Sequence, residues 1–161
     1  MQAKLRDRQF IDGKQQHSAL YVDSVQQKGG RGVFAREKIS SGSLLCAYYG
    51  DVITRAEGLA REKNYEETAT DTKSYQLFFS HGGKALCVDA TDDRMYGWAV
   101  ARLINHGRKH NNAKLYVGVG SDNIPYPIIC ARVDINEGEE ILYNYGDTRR
   151  NVTKQNNWLL E

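Results

Sequence analysis

Glycine-centred turns interrupt this chain at short intervals. Lys28-Gly29-Gly30-Arg31-Gly32, Ser40-Ser41-Gly42, His81-Gly82-Gly83 and Asn136-Glu137-Gly138 each break a run rich in β-branched and aromatic residues. Gly permits positive φ, so such clusters read as turns between strands. The runs they bound are Leu20–Val25, the segment after Gly32, Ser43–Ile53, Ser74–Ser80, Lys84–Ala90 and Pro127–Ile135. Ala113–Val119 and Glu139–Tyr145 are two more. Helical signals are few. Thr54 followed by Glu57 is a capping-box pattern that predicts a helix to about Glu67. A short helix is expected over Gly97–Ile104 and another over Asn151–Leu160. Many short strands with few helices predict one mainly β domain.

Composition excludes several classes. At 161 residues the chain can bury a core. No apolar run approaches the roughly 18 residues of a membrane helix. The polar opening, Met1 to Lys14, reads as a flanking helix and does not resemble a secretory signal. A net charge of +2 gives no strong field for nucleic acid. Cys46, Cys87 and Cys130 are far apart within apolar runs, which suits buried, reduced thiols and an intracellular setting.

Two motifs invite a stronger reading. His106 and His110 stand four residues apart, a spacing that can bind zinc on a helix. A structural zinc site needs about four ligands, with cysteines roughly two to four residues apart, and no cysteine here has such a neighbour. Gly107 and Asn111-Asn112 also break the helix, so no metal site is expected. Gly29 to Gly32 resembles a nucleotide loop, but a phosphate-binding loop must open a helix, and Val33-Phe34-Ala35 reads as strand. An RNA-binding reading of Lys28–Arg36 lacks a second aromatic strand and basic charge.

Ten tyrosines are the other unusual feature. Tyr143 and Tyr145 sit at i and i+2, so in a strand they share one face. They can be core packing. They can also wall a channel for a long side chain ending in an amine, because aromatic faces attract cations and phenolic oxygens accept hydrogen bonds.

The segments GGRGVFA, YYGDVI, CVDAT, RLINH and GEEILYNYGD occur in the order and approximate spacing of the SET-domain protein lysine methyltransferases. The resemblance runs from about Leu20 to Leu159. Within that family the chain looks most like the histone H4 lysine-20 monomethyltransferase group, on CVDAT, RLINH, the tyrosine-bearing C-terminal run and Trp158-Leu159. The resemblance implies a fold of several short curved sheets with a knot-like C-terminal crossing. It divides the chain into an N-terminal flank (1–19), a SET domain (20–148) and a C-terminal flanking helix (149–161).

The same resemblance implies S-adenosyl-L-methionine as cofactor. Gly29, Gly30, Arg31, Tyr75, Asn105, His106 and Trp158 would hold it, and Tyr48, Tyr143 and Tyr145 would line the lysine channel as catalytic residues. The implied substrate is a histone tail, an H4 tail first, or another lysine-containing peptide. A nucleosome is a further partner, mainly monomethylation the outcome and the nucleus the location. The alternatives are a SET enzyme acting on another protein and a catalytically weak peptide-binding module. The chain departs from the family at Gly107, where many members have Ser, and at Asn144, which often carries an acid.

Overall fold

The computed structural model describes residues 2–25, 30–68 and 74–145. Helix α1 (Gln2–Asp12) precedes β1 (Leu20–Val25), β2 (Gly30–Ala35), β3 (Leu44–Ala47) and β4 (Asp51–Thr54). Helix α2 (Arg55–Thr68), β5 (Gln76–His81), β6 (Lys84–Asp89) and α3 (Asp93–Tyr96) follow. A 3-10 turn, Val100–Leu103, leads into β7 (Asn105–His106), β8 (Ala113–Val119), β9 (Pro125–Ala131) and β10 (Leu142–Tyr143).

The strands form four small sheets. β1 pairs with β2, β3-β9-β8 and β4-β6-β5 are three-stranded, and β10 pairs with β7. All pairs are antiparallel except β10 with β7. The mainly β expectation is met. The shared core comprises Val33, Leu45, Phe79, Val88, Ile104, Ile129, Ile141 and their neighbours. All three cysteines are buried and free, and burial pushes the Cys87 thiol up to about 12.

Local chemistry explains the elements. The Thr54 hydroxyl accepts from the Glu57 N–H at 3.2 Å and donates to the Glu57 carboxylate at 3.0 Å, so α2 starts at its capping box. Gly82 and Gly83 both have positive φ, 59° and 77°, which closes the β5–β6 hairpin in two residues.

Several expectations change. The short helix expected over Gly97–Ile104 is instead a 3-10 turn over Val100–Leu103, with Gly97 capping α3. The glycine turn ends earlier than its composition suggests, because Gly30, Arg31 and Gly32 pair within β2 against Val25, Ser24 and Asp23. The run Ser43–Ile53 is two strands, not one. Its break falls at Tyr48-Tyr49-Gly50, and a Cβ at Gly50 would lie 2.7 Å from the Asp89 carbonyl oxygen. The run Glu139–Tyr145 contributes only the two residues of β10, because most of its backbone bonds go elsewhere. The Ile141 N–H donates to Val33, and the Leu142 N–H donates to the Asn112 side chain. The segment 139–143 is thus held by β2 and by the loop after β7. The expected helix over 151–160 lies outside the described residues.

Candidate functional site

The 3-10 turn delivers the site's first wall. Ala101, Leu103 and Ile104 are buried, which anchors the turn and sets Asn105 and His106 at a half-buried edge. β7 then runs parallel to β10, with Leu142 opposite Asn105 and Tyr143 opposite His106. Two segments far apart in sequence meet there through only two residues each.

Asn105 is tightly oriented. Its Nδ2 donates to the Arg31 carbonyl at 3.0 Å and to Glu140 Oε2 at 2.8 Å. Both amide protons are used, so Oδ1 is the group left to accept from a ligand, and it has no hydrogen-bond partner among the described residues. His106 Nδ1 accepts from the Tyr145 N–H at 3.0 Å, which puts the proton of the neutral ring on Nε2. A Cβ on Gly30 would meet none of the described residues within 4 Å. Gly32 is the opposite case: a Cβ would lie 2.6 Å from Glu140 Oε2 and 3.1 Å from Asn105 Nδ2. Gly32 thus makes room for Asn105.

The second wall is aromatic. The Tyr143 and Tyr145 rings are 4.9 Å apart, and Tyr145 is 5.1 Å from the His106 ring. The Tyr145 hydroxyl donates to the Ile104 carbonyl. Burial, and then the Glu140 charge, raise the Tyr145 pKa. Tyr48 is buried, and its hydroxyl is also pushed well up, by burial first and then by Tyr145. Both phenols therefore stay protonated at neutral pH. They can orient a guest by hydrogen bonding but cannot take its proton. Tyr75 is half-buried, its N–H donating to Thr91 Oγ1 at 2.9 Å and its ring lying 4.5 Å from the Arg102 guanidinium carbon.

The structure thus brings Arg31, Asn105, His106, Tyr143 and Tyr145 into one contact network, with Gly30 preceding Arg31 on β2. Tyr48 joins it electrostatically, and Tyr75 sits on Arg102. Gly29 and Trp158 lie outside the described residues. Sequence reading passed over three charged residues. Glu140 orients Asn105. Arg102 is buried, donates to the Ala90 carbonyl at 3.0 Å and to Asp93, and keeps a buried Nε without a partner among the described residues. Asp89 is buried beneath Thr91. Arg102 and Asp89 are each a charge within an otherwise apolar run, the one signal that could have marked them, whereas Glu140 follows the acidic turn at Glu137 and Glu139 and carries no such mark. Among the described residues no group of three His, Cys, Asp or Glu is placed to hold a metal ion.

Gly107 has its own explanation. The loop after β7 folds back so that a Cβ on Gly107 would meet the His110 carbonyl oxygen at 2.2 Å and Leu142 Cβ at 2.8 Å. A backbone oxygen cannot step aside cheaply. Gly107→Ser, which introduces the residue many family members carry, is expected to cost about 1–3 kcal/mol. Thermal melting checks this, and an unchanged midpoint would show that the loop relaxes freely.

The family relation follows from this geometry and from comparison with known proteins. Residues 30–146 match the SET domain, and the chain belongs to the SET-domain family. It is 35% identical over 141 residues to the N-lysine methyltransferase KMT5A of Xenopus tropicalis, a match covering 87% of this chain and 40% of that protein. CpSET8 from Cryptosporidium superposes with a TM-score of 0.72 at 30% identity, over 83% of this chain and 60% of that one. The autoinhibited, S-adenosylmethionine-bound ctPRC2 of Chaetomium thermophilum gives 0.62 at 29%, over 85% and 16%. The chain spans less than half the length of the first curated relatives, at 40%, 37% and 44%.

Proposed function

We propose that this chain is an S-adenosylmethionine-dependent methyltransferase that places mainly one methyl group on a histone lysine, the H4 tail first. The observation that carries this reading is the β7–β10 pairing. It sets His106 directly against the aromatic wall of Tyr143 and Tyr145, with the acceptor Asn105 next to it on the same short strand. The Xenopus relative is an N-lysine methyltransferase and the Chaetomium complex binds S-adenosylmethionine, which supports it. A histone tail, free or in a nucleosome, is the proposed partner, and the nucleus the proposed location.

The donor set suits this cofactor. Asn105 Oδ1 would accept from its ammonium, Gly30 has no described residue within 4 Å of where a Cβ would stand, and Arg31, His106, Tyr75, Gly29 and Trp158 complete the proposed holding set. Bound there, the cofactor supplies an electrophilic sulfonium methyl. The chain's residues do the rest. A lysine with a pKa near ~10.4 pays about 4–5 kcal/mol to lose its proton at pH 7. Desolvation between buried rings lowers that cost, and the proton must leave through water, because Tyr48 and Tyr145 hold their own. With its proton committed to Ile104, the Tyr145 oxygen can only accept, so it turns the amine's lone pair toward the cofactor side.

Mass spectrometry of histone octamers, nucleosomes and peptides incubated with protein and labelled cofactor tests the proposal. A +14 Da lysine is expected (a mass shift of about one methyl group). Tight peptide binding with no methyl transfer would identify a binding module instead. Tyr143 decides the product. Its ring is buried beside Tyr145, and in this reading its hydroxyl would take up space that a second methyl needs. Tyr143→Phe should retain monomethylation and add dimethylation. Equal dimethylation by wild type would remove the steric argument.

A further inference from the structure

Glu140 contributes nothing to the aromatic wall, yet it is built into the site more firmly than a surface glutamate needs to be. It lies in the segment that bridges β2 and β10. Its backbone pairs with Phe34, and its carbonyl accepts from Asn112 Nδ2 at 2.8 Å. The neighbouring Ile141 N–H is tied to Val33 at 2.7 Å. These contacts hold the main chain on both sides, so the side chain has a fixed origin. From there Oε2 reaches Asn105 Nδ2 at 2.8 Å and occupies the space where Gly32 lacks a side chain.

The consequence concerns which end of the Asn105 carboxamide faces the ligand. Its two ends differ little in size but are opposite in hydrogen bonding. A flip would present NH2 donors to a cationic ammonium and turn Oδ1 toward the Arg31 carbonyl and the Glu140 carboxylate, three acceptors facing one another. The Arg31 carbonyl alone favours the observed orientation by one neutral hydrogen bond. A carboxylate acceptor roughly doubles the strength of such a bond and adds repulsion against the flipped state.

We propose that Glu140 is a positioning residue that locks the Asn105 carboxamide with Oδ1 toward the cofactor's amino-acid end, so that affinity for S-adenosylmethionine depends on it without contact. This rests on the reading of Asn105 as a cofactor-binding residue. The expected loss for Glu140→Ala is about tenfold or somewhat more in affinity, the lower end of the worth of one hydrogen bond to a charged group. Glu140→Gln keeps an acceptor oxygen in place and should recover most of it. The double variant Asn105→Ala/Glu140→Ala should bind no worse than Asn105→Ala alone, because the lock then has nothing to hold.

The test is calorimetric titration of S-adenosylmethionine into wild type, the two single Glu140 variants, Asn105→Ala and the double variant, each checked for cooperative melting. If Glu140→Ala does not fold, Glu140→Met keeps its volume and takes its place. Weakened binding in Glu140→Ala, recovery in Glu140→Gln and non-additivity with Asn105→Ala support the lock. Additive losses, or Glu140→Gln as weak as Glu140→Ala, overturn it while leaving Asn105 as a ligand. Unchanged affinity in Asn105→Ala overturns the reading of the site itself.

Discussion

Tyr145→Phe should fold, bind cofactor within about threefold of wild type and lose turnover on the order of 100-fold. The substitution removes one oxygen. That oxygen donates to the Ile104 carbonyl and, with its proton so committed, is the acceptor that aligns the incoming amine. The ring contacts to His106 and Tyr143 remain, and so does the Tyr145 N–H bond to His106 Nδ1. Loss of one hydrogen bond should cost about 1 kcal/mol of stability, too little to unfold the chain. Single-turnover rates, calorimetric affinity and melting separate the effects. A near-native rate with normal melting would remove Tyr145 from the mechanism.

Asp89→Ala should lower folding stability by about 2–4 kcal/mol, the range for leaving buried donors without their carboxylate. Asp89 sits at the end of β6. Its Oδ1 accepts from the Thr91 N–H at 3.0 Å. Its Oδ2 accepts from the Tyr65 hydroxyl at 2.7 Å and from Arg61 at 3.2 Å. Arg61 also reaches Asp51 at 3.0 Å, and Asp51 accepts from Tyr96 at 2.6 Å. One buried carboxylate therefore ties α2, β4, β6 and α3 together, and Thr91 passes the constraint on to Tyr75. Arg61→Met should cost less, because Arg61 is partly exposed and Asp89 keeps two other donors. Denaturant titration gives both values, and equal losses would mean that the ion pair dominates. The cluster also gives pH dependence a sign. Burial acts to raise the Asp51 pKa, but the Tyr96 hydroxyl and Arg61 outweigh it and hold the carboxyl below its ordinary value. A depressed carboxyl stabilises the fold above the unfolded value of ~3.9, and that contribution is lost as pH falls through the folded value. Asp51 is half exposed, so the effect is small.

The sequence reading and the structure agree where local chemistry decides. The capping box of α2, the Gly82-Gly83 hairpin and the apolar runs of β8 and β9 are local signals. Tyr143 and Tyr145 were paired by spacing, and their rings do meet, although only Tyr143 lies in a strand. The differences arise where a distant segment intervenes. The Asp89 carbonyl breaks the run through Gly50, and Val33 and Asn112 claim backbone groups of the last strand. Glu140 escaped notice for the same reason: its partner lies 35 positions earlier in the chain. Tertiary partners of that kind leave no periodic trace.

The pairing of β7 with β10 is two residues long on each side; next to it the Gly107 N–H donates to the Tyr143 carbonyl, and the Asn112 N–H, in the loop before β8, donates to the Leu142 carbonyl. So short a ladder has little stability of its own, and the loop it closes is long, so it belongs to the part of the molecule that opens at low free-energy cost. Amide hydrogens at Gly107 and Asn112 should then exchange with solvent well before those of the β8–β9 ladder. A ligand that touches both short strands would close this seam and slow exchange there by mass action, joining what the backbone alone holds loosely.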